Sequence, residues 1–102
     1  MSLSKVNVKI TICEKDVVEA ELFKHLSPIT MNSLIRKIPI QGRIHSFKEL
    51  FVYITSGIIT GVEKAKKSYQ RGDIAFLSMN GSICFFRKSC TVVKPMNPLG
   101  KI

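Results

Sequence analysis

Two apolar segments separated by Asn80-Gly81 form the most regular pattern of the chain, within the stretch RGDIAFLSMNGSICFFRK. Asn-Gly is the dipeptide that most readily adopts the two positive-φ positions of a type I′ turn, so the pattern predicts a hairpin over residues 73–87 with a two-residue loop. In that register Ala75 lies opposite Phe86, and Asp73 forms a cross-strand ion pair with Lys88. One face then carries Asp73, Ala75, Leu77, Met79, Ser82, Cys84, Phe86 and Lys88. The other carries Ile74, Phe76, Ser78, Ile83, Phe85 and Arg87. Both faces are apolar in the middle. The rest of the chain therefore covers both faces, or it covers one and leaves the other for a partner.

The N-terminal segment alternates apolar and polar residues from Val6 to Cys13, the period of a half-buried strand. A polar turn at residues 14–16 leads into a second alternating segment from Val17 to Phe23. The two segments together predict an N-terminal hairpin.

Ser27-Pro28 predicts the start of a helix near residues 28–37. Serine can cap free backbone N–H groups, and proline fits the first helical position. Pro39 is expected to end the helix. The apolar face predicted by the 3-4-3 spacing comprises Met31, Leu34, Ile35 and Ile38.

The remaining segments predict further short strands. Strands are expected over residues 40–45 and 49–55, and an edge strand over 91–94 before an irregular C-terminal end. The basic segment within 56–71 is expected to form a short helix. Six or seven short strands, one clear helix and no βαβ alternation predict an all-β fold with one main helix, in the form of a small closed or nearly closed barrel.

The composition indicates a single domain spanning residues 1–102, with 45% hydrophobic residues and room for one core. The three cysteines form no CxxC pair, and their odd number argues against a disulfide framework, so we expect buried thiols in a reducing cytoplasm. His25, His45 and Cys90 lack a zinc-binding spacing, and the six glycines form no phosphate loop, so no metal or cofactor is expected. No apolar run reaches the roughly 18 residues that span a bilayer, so we expect no membrane association.

The charge is strongly positive, at +9, and unevenly distributed. Residues 64–102 contain eight basic residues against the single acid Asp73, which gives +7. An anionic partner is therefore plausible on electrostatic grounds, and binding of RNA or DNA is one hypothesis for function. The basic residues are scattered, however, and a net charge also serves solubility.

Several of these segments resemble cyclophilins. Gly72 to Phe86, GDIAFLSMNGSICFF, resembles a shortened Gly-x-Leu-Ser-Met-Ala-Asn…Gly-Ser-Gln-Phe-Phe segment of that family, and Ser27 to Leu34 resembles its Pro-x-Thr-x-x-Asn-Phe helix. Residues 98–102 are similar to the Phe-Gly-Lys-Val near the cyclophilin end. The order of Gly42-Arg43, Glu49-Leu50-Phe51 and the hairpin is closer still to small prokaryotic and archaeal cyclophilin-like proteins of unassigned function. The resemblance implies a small cyclophilin-like barrel.

The resemblance also implies a site. The second Phe of the cyclophilin Phe-Phe pair lines the proline pocket and falls on Phe86, while the substrate-binding Gln falls on Cys84. Arg43 is the candidate for the catalytic arginine. The Phe-Met-x-Gln-Gly-Gly-Asp segment is absent, the chain has no Trp, and no His follows the hairpin. These departures argue against efficient prolyl isomerisation.

Three functions are carried forward from the sequence, beside the alternative that Phe86 is packed under a loop and Arg43 is only a solvated strand residue. The leading hypothesis is a peptide- or small-ligand-binding module, in which Ala75, Cys84 and Phe86 form an apolar groove and Arg43 supplies a cationic donor. The alternatives are a weak peptidyl-prolyl cis-trans isomerase, with Arg43 polarising the amide, and a basic nucleic-acid-binding domain. Whether the chain is an enzyme stays open, with binding favoured. An uncovered apolar flank near the C-terminal end also predicts a homodimer, unless residues 91–102 fold back and cover that flank.

Overall fold

The computed structural model describes residues 5–12 and 16–102. Within these residues the chain forms one helix and eight strands, numbered here in chain order. They are β1 (Lys5–Ile12), β2 (Asp16–Phe23), α1 (Pro28–Lys37), β3 (His45–Phe47), β4 (Phe51–Thr55), β5 (Lys66–Tyr69), β6 (Asp73–Leu77), β7 (Ser82–Phe86) and β8 (Cys90–Lys101). Cys13 and the predicted turn residues 14–15 lie outside the described part of the chain.

All strand pairs are antiparallel, in the order β1-β2-β8-β6-β7-β4-β3, and β5 pairs with β8 off this path. The predicted all-β fold with one main helix is confirmed. The sheet is open, however, where we expected a closed or nearly closed barrel, because no pairing among the described residues joins β3 back to β1. The edge strand β3 has three residues, all exposed, which leaves few backbone groups for closure.

The N-terminal hairpin is confirmed in its pairing, which runs from Lys5 opposite Phe23 to Ile12 opposite Asp16. Its apolar positions Val6, Val8 and Ile10 pack against the cluster of buried residues that contains Met31 and Phe76. The strict alternation of the sequence explains this, since alternate side chains of a strand point to the same face.

Helix α1 has the predicted bounds, and its C-terminal turn carries the basic residues Arg36 and Lys37. Its buried face differs from the prediction. Thr30, Met31 and Leu34 are buried, whereas Ile35 and Ile38 are 37% and 46% exposed. The predicted serine cap is also wrong, because the Ser27 hydroxyl donates instead to the carbonyl oxygen of Pro98 at 2.8 Å.

The central hairpin β6–β7 is confirmed, but its register differs by two residues from the prediction. Leu77 pairs with Ser82 and Ala75 with Cys84, so the loop has four residues, 78–81. Only Gly81 in this loop has a positive φ, at 72°, whereas a type I′ turn needs two. The backbone N–H and the hydroxyl of Ser56 both donate to Gly81 O, at 2.8 and 2.7 Å. This contact from a distant segment sets the loop, and a slip by two leaves every side chain on its predicted face.

The other corrections concern three segments. Residues 40–44 form no strand, and residues 56–65 form neither helix nor strand, with β5 following where a short helix was expected. The C-terminal segment forms the twelve-residue β8. Pro98 is tolerated because it faces Ala75 at a register shift, and a bulge needs no donor there. Asp73 lies opposite Lys101 in β8, and not opposite Lys88.

Apolar side chains pack into two cores, one on each face of the hairpin β6–β7. The helix-side core contains Ala20, Leu22, Met31, Leu34, Ile58, Ile74, Phe76, Ile83 and Leu99. The second, called here the Phe86 core, contains Phe51, Tyr69, Ala75, Cys84, Phe86 and Met96. Other parts of the chain therefore cover both faces of the hairpin, which was one of the two predicted alternatives.

Candidate functional site

The three hairpin residues predicted to form a groove do lie together, within the Phe86 core. Ala75 pairs with Cys84, and the exposed fractions of Ala75, Cys84 and Phe86 are 0%, 1% and 2%. The Phe86 ring stacks on Tyr69, with ring centroids 4.7 Å apart and planes at 9°, and packs at 5.1 Å against Phe51. The side chains of β5 and β4 thus fill the space in which we expected a ligand.

The polar groups of the Phe86 core are uncharged at neutral pH. Burial raises the pKa of the Cys84 thiol to about 12, which leaves little of the nucleophilic thiolate. The Tyr69 hydroxyl donates to the carbonyl oxygen of Met96 at 2.6 Å. Burial, and then the charge of Asp73 and that of the Cys84 thiolate where it forms, raise the pKa of Tyr69 as well. Neither group is prepared for acid–base or nucleophilic chemistry.

Arg43 lies apart from the Phe86 core. It is exposed in the segment before β3, and its neighbour Gly42 packs against Ile54 near the end of β4. Continuing the β3–β4 register from His45 opposite Tyr53 places residue 43 level with Thr55. Phe51, which pairs with Phe86, is four residues away along β4, about 13 Å at the rise of a strand. The structure therefore does not bring Arg43 and Phe86 together.

A half-open surface pocket of about 370 Å³, called here the cavity, lies where the ends of β2 and β8 meet the starts of β5 and β6. Three lysines line it, Lys64, Lys66 and Lys101, and the acid in its described lining is Asp73. Apolar surface comes from Phe23, Leu26 and Pro98, and Tyr69 connects the cavity to the Phe86 core. The site combines apolar walls with three lysines and one aspartate, so it has the apolar lining of a small-molecule pocket and an excess of positive charge.

Local contacts place the lysines at this cavity. The Lys64 ammonium donates to the carbonyl oxygen of His25 at 2.9 Å, and the Lys66 ammonium lies 5.0 Å from the centre of the Tyr69 ring. Lys101 lies opposite both Glu21 and Asp73 in the sheet. One oxygen of the Asp73 carboxylate accepts the backbone N–H of Gln70 at 2.8 Å, so hydrogen bonding within its own turn partly satisfies this acid.

The sequence pattern did not predict this cavity, although two of its lysines lie in one recognisable basic segment. Lys64 and Lys66 belong to the basic segment noted before Gly72, and their spacing of two places side chains on one side of an extended chain. Lys101 lies 35 residues beyond Lys66. Only the pairing of β8 with β2, β5 and β6 brings it to the same place.

A second depression, of about 540 Å³, lies on the β1–β2 ribbon beside Ile102. Its charged lining is Lys9 with Glu19 and Glu21, so it has no excess of positive charge.

The described residues contain no cluster of three or more His, Cys, Asp or Glu side chains that could hold a metal ion. In the part of the chain that the structure describes, no helix has the length and apolar character that crossing a bilayer requires.

Comparison with known proteins adds a family and a fold. The solution structure of the hypothetical protein AF2241 from Archaeoglobus fulgidus superposes with a TM-score of 0.76 at 20% sequence identity, over 97% of this chain and 80% of that one. At this identity the likeness shows the fold alone. No curated protein matches the chain at a significant level. The model of the family described as "Cyclophilin-like" matches residues 6–102. Since that match covers nearly the whole chain, the protein belongs to the cyclophilin-like family.

Proposed function

We propose that this domain is a binding module for a small anionic ligand with an apolar part, held in the cavity lined by Lys64, Lys66 and Lys101. The observation that carries this proposal is the convergence of three lysines from two distant segments on one cavity with apolar walls. All three lysines are exposed, and an anion bound in the cavity would be attracted by each of their charges. Lysine binds carboxylate and phosphate groups as a point charge.

The size of the cavity supports a small ligand. Its volume of about 370 Å³ lies within the range of small-molecule pockets, roughly 300 to 1,000 Å³. Phe23, Leu26 and Pro98 offer apolar contact for the body of such a ligand, while the lysines hold its charged end. The overall charge of +9 further favours the approach of anions.

This proposal keeps the binding function expected from the sequence but moves the site. A ligand on Ala75, Cys84 and Phe86 would have to displace Tyr69 and Phe51, whose rings pack on Phe86. The position of Arg43 at the far end of β4 supports neither that groove nor prolyl isomerisation. These two hypotheses stay predictions, as does binding of nucleic acid.

The proposal is tested by calorimetric titration with phenyl phosphate, which combines a dianion with an aromatic ring. Inorganic phosphate and benzyl alcohol, each carrying half of these features, should bind more weakly. Replacing one ammonium, by Lys66→Met or by Lys101→Met, should weaken phenyl phosphate binding about five- to tenfold, as loss of one charge-assisted contact predicts. The matched control is Lys9→Met, an exposed lysine of β1, which should leave the affinity within twofold.

Two outcomes would contradict the proposal. One is equal weakening by all three lysine variants, which would indicate binding to the overall charge. The other is a wild-type protein that ignores phenyl phosphate but retains oligonucleotides in a salt-dependent manner, which would favour the nucleic-acid hypothesis.

A further inference from the structure

The segment formed by residues 58–64, called here the strap, is fixed to the start of helix α1 by Glu63. One oxygen of the Glu63 carboxylate accepts the backbone N–H of Ile29 at 2.8 Å. The other accepts the backbone N–H and the hydroxyl of Thr30, both at 2.6 Å. The first N–H groups of a helix lack partners within the helix, and a carboxylate also interacts favourably with the positive end of the helix dipole. Glu63 therefore takes the capping role that Ser27 does not fill.

Hydrogen bonds of the Asn97 side chain in β8 also join the strap to the sheet. The backbone N–H of Glu63 donates to Asn97 Oδ1 at 2.8 Å, and Asn97 Nδ2 donates to the carbonyl oxygen of Gly61 at 2.9 Å. Asn97 Nδ2 also lies 3.2 Å from the Thr30 hydroxyl. Asn97 is 1% exposed, so its bond to Thr30 is buried, while its bonds to Gly61 and Glu63 are partly buried. Helix, strap and sheet meet at this one network.

The strap leads directly into the lysines of the cavity. Lys64 follows Glu63 and has a φ of 47°, in the left-handed region that costs a non-glycine residue about 1 kcal/mol or more. Its side chain reaches back to His25 O, and Lys66 begins β5 two residues later. A backbone in this conformation persists only where its surroundings hold it, and the bonds of Glu63 are next to it.

We infer that Glu63 is a positioning residue for the proposed ligand site: by fastening the strap to α1, it holds Lys64 and Lys66 at the cavity. This inference rests on the proposed function, since it concerns the same cavity. It assigns to Glu63 no contact with the ligand. The carboxylate acts through the backbone of residues 63–66.

The inference predicts a change in anion affinity opposite in sign to the change expected from charge alone. Removing the negative charge of Glu63, which lies beside Lys64, should by electrostatics alone strengthen the binding of an anion. If Glu63 acts by holding the lysines in place, Glu63→Gln should instead weaken phenyl phosphate binding, by about fivefold or more. Glu19→Gln, which removes an exposed carboxylate of β2, is the charge-matched control and should leave binding equal or slightly stronger.

The experiment combines titration with amide hydrogen exchange of the ligand-free protein. In Glu63→Gln, the amides of Ile29, Thr30 and the strap should exchange about tenfold faster, while those of the β6–β7 hairpin keep the wild-type rates. The loss of affinity should also shrink markedly when Lys66→Met is already present, because Glu63 would act through that lysine. Glu63→Asp keeps the charge but has a shorter reach. It should show both effects in smaller measure, and it replaces Glu63→Gln if the latter does not fold.

The possible results separate the two proposals. Faster exchange in the strap together with weaker binding supports the inference. Unchanged or tighter binding by Glu63→Gln, with a wild-type protein that binds phenyl phosphate, overturns the inference and leaves the proposed function standing. A wild-type protein that binds no phenyl phosphate overturns both.

Discussion

The side chain of Phe86 decides between an open groove and a filled core. It is 2% exposed, between the rings of Tyr69 and Phe51. Phe86→Ala should therefore lower the free energy of unfolding by about 3–5 kcal/mol, measured by urea denaturation. Phe47→Ala, at an aromatic residue that is 44% exposed, serves as the comparison and should cost much less. A loss below about 1 kcal/mol at Phe86 would show that the residue lies open to a ligand.

At the scale of single residues, the sequence predicted on which face of the hairpin a side chain lies, but not which other residues pack against it. The period of two placed Ala75, Cys84 and Phe86 on one side of the hairpin, and a register slip by two residues left that result intact. The sequence left open whether Phe86 is packed or lines a groove, because Tyr69, whose ring stacks on Phe86, comes from a segment whose pattern indicated a short helix. The lysines of the cavity are separated by up to 37 positions, from Lys64 to Lys101, and only the fold brings them together.

At the scale of elements, features set by neighbouring residues could be predicted from the sequence. Features set by residues distant in the chain could not. The bounds of α1 follow from Pro28 and Pro39, which act on their own neighbours. The cap of the same helix comes from Glu63, more than thirty residues away. Strand β8 was missed because Pro95 and Pro98 argue against a strand inside a sheet. The register shifts opposite β5 and β6 remove that objection.

The fastening of the strap to α1 should make stability depend on pH. Burial alone would raise the pKa of Glu63, but hydrogen bonds from Thr30 and from the backbone of Ile29 and Thr30, with the charge of Lys64, hold it below its ordinary value of 4.5. A carboxyl group whose pKa is lowered by folding stabilises the folded state above its unfolded pKa, and this contribution is lost as the pH falls through the folded pKa. Thermal unfolding should therefore show a steeper loss of stability below about pH 4.5 in the wild type than in Glu63→Gln. Parallel curves for the two proteins would contradict this role of the carboxylate.

At the scale of the whole molecule, the predicted homodimer loses its original basis, because the C-terminal segment folds back as β8 and residues 96–99 are buried. The open sheet offers a different basis for a dimer. Strand β1 pairs on one side with β2, and no described residue pairs with its other side. An eight-residue edge of this kind can pair with another chain. Sedimentation at micromolar concentration is expected to give twice the monomer mass of 11.5 kDa. A single species of 11.5 kDa would reject the dimer.

The ligand site itself is tested most directly by mapping bound phenyl phosphate on the protein with ¹H–¹⁵N correlation spectra. We predict that the amide shifts change around the cavity, at Lys64 and Lys66, at Asp73 and Ile74, and at Gly100 and Lys101, because these residues line it. The amides of β4 and β7 that surround Phe86, and that of Arg43, should keep their positions. Shifts concentrated around Phe86 and Arg43, with the lysine cavity unaffected, would contradict the account.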